Sequence, residues 1–276
     1  MSLMKQGMAH KQAIAQNTLS KGQSLHSNSQ LMTTGSNSIS LEDIAEFLNQ
    51  FFAVDLYSQE ERGGVYLPST RRVKRLGLLL EPSAQLHKWV RTQNLDALFL
   101  HRPWKLQPEQ LAPDIGIISY HLPFDERLTF SFNPRLAEVL GMSGLEVLGE
   151  KDKRAIGMIG EVPIQSFAHL CNCVNQIFGG YEQVDAAEPA AEPTEVTRIA
   201  VVGAMTDLLV REAASRGANV YITGQLRHPA EQAVEETKIG AIAVGHRQGE
   251  LWGLRALAGV LRERWSSLEV VVLQNS

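Results

Sequence analysis

Four histidines in this 276-residue chain come directly after short apolar stretches that predict buried strands. They are His101 after Leu-Phe-Leu, His121 after Ile-Ile-Ser-Tyr, His228 after Tyr-Ile-Thr-Gly-Gln-Leu-Arg and His246 after Ala-Val-Gly. Two of them have an acid four residues on: Asp125 follows His121, and Glu250 follows His246. Ligands in open α/β sheets sit outside the carboxyl ends of the strands. Imidazole and carboxylate donors at such ends predict a divalent metal centre.

The His246 and Glu250 pair has two readings of equal weight. If a helix begins near Gly245, the four-residue spacing places both side chains on one face, where they can share one metal or hold neighbouring metals. Alternatively, Glu250 only favours the positive end of the helix dipole, and His246 caps the helix.

The His121 and Asp125 pair is interrupted by Leu-Pro-Phe, which favours a turn over a regular helix. Asp125 could bridge two cations with its two oxygens, or it could form an Asx-type turn. His101 precedes Arg102 and Pro103, so it lies at a strand end or in the following loop, and such a histidine alone is more often structural than a ligand. Three strand ends with such residues together favour the metal centre.

The elements that must position these residues alternate between strands and helices. The predicted strands are Val73 to Leu80, Ala97 to Leu100, Ile115 to Tyr120, Ile156 to Ile159, Ile199 to Val202, Val220 to Ile222, Ala241 to Val244 and Val270 to Leu273. The predicted helices begin at Ser40, capped in an approximate capping box with Asp43, and continue with 83–92, 135–140, 166–178, 207–215, 230–236 and 251–264. The alternation predicts an α/β fold with layered, largely parallel sheets flanked by helices.

The pattern divides into two interlinked α/β lobes. Residues 40–150 form the first lobe, with His101 and Asp125, and residues 151–276 form the second lobe and return to the core. Residues 1–39 are polar and predict a disordered tail. The proline, alanine and glutamate segment near 183–196 predicts an exposed loop.

Composition narrows the classes of function. The net charge of −4 makes nucleic acid an unlikely partner, and the basic run Arg71, Arg72, Lys74 and Arg75 is typical of a solvated loop. The chain has neither an apolar run long enough for a membrane span nor a signal-peptide core, which predicts a cytoplasmic protein. Cys171 and Cys173 are expected to be core thiols. The segment after Val202 lacks both a dinucleotide fingerprint and a phosphate loop.

Five motifs resemble, in their order, the Nif-three-like proteins, which are named as homologues of type 2 GTP cyclohydrolase. They are Leu98-Phe-Leu-His-Arg-Pro103, the His121 to Asp125 turn, Gly157-Met-Ile-Gly-Glu-Val-Pro163, Tyr221-Ile-Thr-Gly224 and Gly245-His-x-x-x-Glu250. The similarity extends from about residue 41 to the end of the chain.

The resemblance implies a two-lobed α/β fold, a toroidal homohexamer and a dinuclear metal centre. It points to His101, Asp125, His246 and Glu250 as metal ligands, with Asp125 and Glu250 bridging. It places His121 next to the ligands as a possible proton carrier. His228 matches a family histidine and is the other proton carrier, whereas Gln225 stands where the family has an acid.

One departure concerns Arg102, which stands where the family usually has a second histidine. A guanidinium has no lone pair to give a metal, so one cation loses a ligand. Arg102 is therefore either an altered ligand position or a group that holds a substrate phosphate or carboxylate.

These observations predict a metal-dependent hydrolase that acts on a nucleotide-like or other small molecule, with His121 or His228 moving the proton. The alternative is a non-catalytic hexameric ring that binds metal or partner proteins. His, Asp and Glu ligands serve Zn, Mn, Fe and Ni, with one or two ions per chain, and the substrate is not indicated.

Overall fold

The computed structural model describes residues 39–185, 195–203 and 205–273. The expected polar tail therefore lies outside the described residues except for Ile39, which is buried. The expected loop near 183–196 is outside them from 186 to 194, and its two flanks belong to strands that end at Asp185 and begin at Glu195.

The described residues form eight α-helices. They are α1 Leu41–Phe52, α2 Leu86–Thr92, α3 Leu122–Leu128, α4 Pro134–Val139, α5 Phe167–Phe178, α6 Asp207–Ser215, α7 Ala230–Thr237 and α8 His246–Arg264. Both cysteines lie on α5 as free thiols, with Cys171 buried and Cys173 half-buried. No helix in the described ranges is long and apolar enough to cross a membrane.

Thirteen strands occur in the same part of the chain. They are β1 Gly64–Leu67, β2 Arg75–Leu79, β3 Ala97–Leu100, β4 Gly116–Ser119, β5 Ser143–Val147, β6 Glu150–Lys151, β7 Arg154–Ala155, β8 Gly157–Ser166, β9 Gln183–Asp185, β10 Glu195–Val202, β11 Val220–Thr223, β12 Gly240–Ala243 and β13 Glu269–Val272. The short strands β6 and β7 pair as a separate hairpin.

The first sheet has the order β1-β4-β3-β2-β13. Strands β4, β3, β2 and β13 are parallel, and β1 runs antiparallel along β4. The central strands β2 and β3 are almost completely buried apolar runs, as expected for strands covered on both faces. Since β3 and β4 are parallel, their carboxyl ends bring His101 and His121 to the same edge.

The second sheet has the order β5-β8-β10-β11-β12-β9. Its centre, β10-β11-β12, is parallel as predicted, whereas β5, β8 and β9 are antiparallel to their neighbours. The α/β fold with layered sheets and flanking helices is thus confirmed. The edge strands β5 and β9 were not predicted, because exposed residues such as those of β5 carry no apolar run. The start of β8 was predicted as the strand Ile156 to Ile159, but its antiparallel pairing was not.

Helix α8 packs between the two sheets. Leu254, Leu257 and Leu261 lie in the core of the first sheet, and Trp252 lies in the core of the second. Close approach to α3 needs Gly253, where an added Cβ would lie 2.8 Å from Phe124 Cζ. The first half of α8 therefore lies between the two sheets.

Helix α1 begins with the predicted capping box. The Asp43 amide donates to Ser40 Oγ at 3.0 Å, and the Ser40 amide donates to Asp43 Oδ2 at 2.8 Å. These bonds satisfy two otherwise unpaired groups at the start of the helix.

We expect Ser40→Ala to lower the free energy of unfolding by about 1 kcal/mol, because the Asp43 amide loses its acceptor. Urea unfolding followed by circular dichroism measures the change. Ser143→Ala, on the exposed strand β5, is the matched control and should leave the midpoint unchanged. An equal loss in both variants would contradict the capping assignment.

Candidate metal centre

Side chains from three strand ends and two helices meet in one cluster. His101 follows β3, Asp125 lies on α3, and Glu250 lies on α8. His101 Nε2 is 3.3 Å from Asp125 Oδ1 and 3.2 Å from Glu250 Oε1. His246 Nε2 is 2.9 Å from Glu250 Oε1, and His121 Nε2 is 3.8 Å from Asp125 Oδ2. Residues up to 149 positions apart in the chain thus form one cluster.

The donors form two groups that share one carboxylate. The first group is His101, His121 and Asp125, and the second is Asp125, His246 and Glu250. Within each group, one ligand atom per residue lies within 4.8 Å of the others. Such a spacing allows the donors of either group to surround one cation, with Asp125 common to both.

The expected turn between His121 and Asp125 is wrong, because the segment is helix α3. Pro123 lies in the first turn of the helix, where its missing N–H needs no partner. The Asp125 amide donates to the His121 carbonyl at 3.0 Å, so the two side chains lie one turn apart on one face. The helix also aims Asp125 at the cluster, which an Asx-type turn would not do.

The position of helix α8 bears on the two interpretations of His246 and Glu250, which are a shared metal site and a capped helix end. Helix α8 starts at His246, and Gly245 before it has a φ of 106°, a conformation that favours glycine. Glu250 is only 1% exposed and faces His101 and His246, so it is not a solvated carboxylate near a helix end. The spacing brings both residues to the cluster.

His101 is fully buried, and its hydrogen bonds fix the state of its ring. Nδ1 lies 3.0 Å from the Tyr120 carbonyl oxygen, which can only accept, so Nδ1 carries the proton. Nε2 faces Asp125 Oδ1 and Glu250 Oε1; with a proton it donates to these oxygens, and without one it has a lone pair for a cation. Asp125 Oδ1 is itself buried without a hydrogen-bond donor. A histidine that donates to a backbone carbonyl through its other nitrogen is the usual arrangement of a metal ligand.

Burial and neighbouring charges shift the pKa values of the cluster. Burial raises the pKa of Asp125 to about 6, against the attraction of nearby histidines. Burial lowers the pKa of His121 to about 4, so its ring is neutral at pH 7. Burial alone would raise the pKa of Glu250, but hydrogen bonds from His101, His246 and Arg102 hold it far below its ordinary value. The bond to Glu250 raises the pKa of His246.

Arg102 belongs to the cluster as an internal cation. Its Nη2 donates to Glu250 Oε2 at 2.7 Å, its Nη1 donates to Glu250 Oε1, and its Nε donates to Glu81 Oε1 at 2.9 Å. The Arg102 side chain is 15% exposed. In this structure it forms ion pairs with two carboxylates, Glu250 and Glu81.

Glu81 is the member of the cluster that the sequence reasoning missed. Glu81 follows the apolar run that contains β2, so it also shows the pattern of a buried strand followed by a possible ligand. The Arg102 amide donates to the Leu80 carbonyl at 2.8 Å, which places the arginine beside Glu81. The signal was present in Leu-Leu-Leu-Glu81.

His228 is not brought to this cluster. It lies between β11 and α7, its side chain is 88% exposed, and Nε2 lies 3.3 Å from Glu231. Gln225 lines a cleft that is also lined by Asp125 and His246.

Two clefts reach the cluster from different sides. The first, of about 510 Å³, is lined by His101, His121 and the exposed ring of Trp104, which meets His121 edge-on at 5.2 Å. The second, of about 420 Å³, is lined by Asp125 and His246. A small molecule therefore has access to the donors of both groups.

Comparisons by sequence find proteins that are similar to this chain. A family model described as Duf34/NIF3 (NGG1p interacting factor 3) matches residues 39–276. A "GTP cyclohydrolase 1 type 2 homolog" of Pyrococcus horikoshii is 27% identical over 244 residues, which are 84% of this chain and 96% of that protein.

Solved structures show the same fold. A Bacillus cereus protein related to NIF3 aligns with a TM-score of 0.65 at 12% identity, over 87% of this chain and 98% of that one. A Thermus thermophilus protein, TTHA1606, aligns with a TM-score of 0.66 at 20% identity, over 86% and 99%.

Proposed function

Because this chain belongs to the Duf34/NIF3 family, we propose that it is a metal-dependent hydrolase of a small molecule. The names of its relatives, GTP cyclohydrolase 1 type 2 homologues, favour a nucleotide-like substrate. Assembly as a homohexamer, which the family resemblance implies, is part of the same proposal.

The position of His101 carries the proposal. Its buried Nε2 lies 3.3 Å from Asp125 Oδ1, a buried carboxylate oxygen without a hydrogen-bond partner, and a divalent cation would take a lone pair from each of these two atoms. The ion-binding donors are nitrogen and oxygen, which suit Zn, Mn, Fe or Ni.

We place the cation in the first group, with His101, His121 and Asp125 as ligands. This assignment makes His121 a ligand, where the resemblance implied a neighbouring position. His246 and Glu250, the rest of the expected ligand set, form the second group, whose carboxylate is already neutralised by Arg102. The wild-type protein then holds about one cation per chain.

A bound cation supplies an activated water at neutral pH. The residues of the chain supply the remaining parts. His246 is exposed, lines the second cleft and is oriented by Glu250, so it is the group best placed to hold a proton beside the reacting centre. It takes the role that the sequence suggested for His121 or His228.

The second candidate, a ring that binds metal or a partner without catalysis, is favoured by the Arg102 to Glu250 ion pair. This pair removes from the second group the charge that a two-metal reaction needs. A metal assay combined with turnover measurements separates the candidates, because metal binding without turnover of nucleotides favours the ring.

The proposal is tested by elemental analysis of purified protein, with anomalous scattering to locate the ion. We expect about one cation per chain, and His101→Ala should lower the content to below about half, because the most buried donor is lost. His87→Ala, an exposed histidine on α2, is the matched control and should keep the full content. Full occupancy in His101→Ala, or no ion in protein refilled with Zn or Mn, would refute the proposal.

A further inference from the structure

The second cleft differs from the first in the charge of its walls. Besides Asp125 and His246, it is lined by Lys151, Arg227, Ser131 and Thr206. The first cleft is lined by Glu60 and Glu61 with no lysine or arginine among its lining residues. We propose that the second cleft binds the phosphate chain of a phosphorylated substrate. The link to catalysis rests on the proposed function, whereas phosphate binding does not.

Among the described residues, the two basic side chains of this cleft have no acidic partner. Lys151, on β6, is exposed and forms no ion pair with a residue in those ranges. Arg227 donates from Nε and Nη2 to the neutral Gln225 Oε1, at 3.1 and 2.7 Å. Both positive charges therefore remain available to an anion.

The acids in the same cleft do not cancel these charges. Glu126 is paired with Arg154 at 2.8 Å, and both groups are buried. Asp125 is the remaining carboxylate of the lining, and it belongs to the cation-binding group. Two cationic side chains therefore face one unpaired carboxylate, so the lining has a net positive charge even without a bound cation.

Hydrogen-bond donors and size complete the fit to a phosphate chain. Ser131 and Thr206 bring hydroxyl groups, and Gly203 and Gly224 come after the carboxyl ends of β10 and β11. Ligands of parallel sheets bind at such ends. The volume of about 420 Å³ lies within the range of small-molecule sites.

Inorganic tripolyphosphate, titrated by calorimetry into the full chain after metal removal, tests the proposal. We expect Lys151→Gln and Arg227→Gln each to weaken binding about fivefold, because each removes one exposed charge contact. Lys88→Gln, on α2 and outside the lining of this cleft, is the matched control and should bind like wild type. Binding should also weaken as salt is raised.

Other outcomes of the same experiment would overturn the proposal. One is an equal affinity for tripolyphosphate in wild type and in the double variant Lys151→Gln/Arg227→Gln. Another is an equal loss of affinity in Lys88→Gln. A third is equally tight binding of citrate, which would indicate a general anion site. Circular dichroism shows whether each variant is folded. Because His101→Ala should still bind tripolyphosphate, failure of phosphate binding and failure of the metal centre are distinguishable.

Discussion

Replacing Arg102 with histidine should raise the bound cation from about one to about two per chain. The guanidinium now holds both oxygens of Glu250 and one oxygen of Glu81. A neutral imidazole frees Glu250 for the second group and adds a donor at the same strand end. Removing the fixed charge also lessens repulsion of a nearby cation, worth about 1 to 4 kcal/mol at ~4 Å.

Plasma mass spectrometry of protein refilled with Zn or Mn measures this change. Arg91→His, which adds an imidazole on α2 away from the cluster, should keep about one cation. Two cations already present in wild type would show that Arg102 leaves Glu250 when metal binds. One cation in Arg102→His would show that the second group cannot hold an ion.

Replacing Arg154 with methionine should lower the free energy of unfolding by about 3 to 5 kcal/mol. Glu126 and Arg154 are both buried, and Arg154 Nε lies 2.8 Å from Glu126 Oε2. Tyr57 donates to the same oxygen at 2.8 Å, and the guanidinium lies 4.5 Å from the centre of the Tyr57 ring. Methionine leaves the carboxylate buried without its counter-charge, which is among the most destabilising single changes.

Urea unfolding measures the loss, and a second substitution identifies its cause. Glu126→Leu combined with Arg154→Met should recover most of the stability, because no buried charge is left unpaired. Arg62→Met, which removes a guanidinium that donates to the Tyr57 backbone carbonyl, should cost much less. A double variant as unstable as Arg154→Met would mean that packing, and not charge, determines the loss.

The central strands were predictable because burial on both faces requires continuous apolar runs. Leu98-Phe-Leu and Ala241-Ile-Ala are examples, and both are buried strands. The edge strands β5 and β9 pair through their backbones, which the side chains do not reveal. The sequence predicts a turn at α3 because a proline inside a helix breaks it. Pro123 instead lies in the first turn of the helix, where a proline is tolerated.

The position of the cluster was predictable, but its internal bonds were not. Parallel strands carry their following residues to one edge, which explains why His101 meets the acids on α3 and α8. Whether Arg102 forms an ion pair within the chain depends on which acid lies close to it in the fold. That acid, Glu250, is 148 positions away in the chain, and no local pattern reports such a contact.

The position of β13 has a consequence for the order of folding. This last strand of the described chain lies beside β2, so the first sheet gains its edge only after both sheets have been synthesised. During translation, the amino-terminal half lacks both this strand and helix α8. Contacts between such distant segments slow folding, because the long intervening chain must first be ordered. His101 can therefore meet Glu250 only after helix α8 has been synthesised, and the first sheet is complete only after β13 has been added.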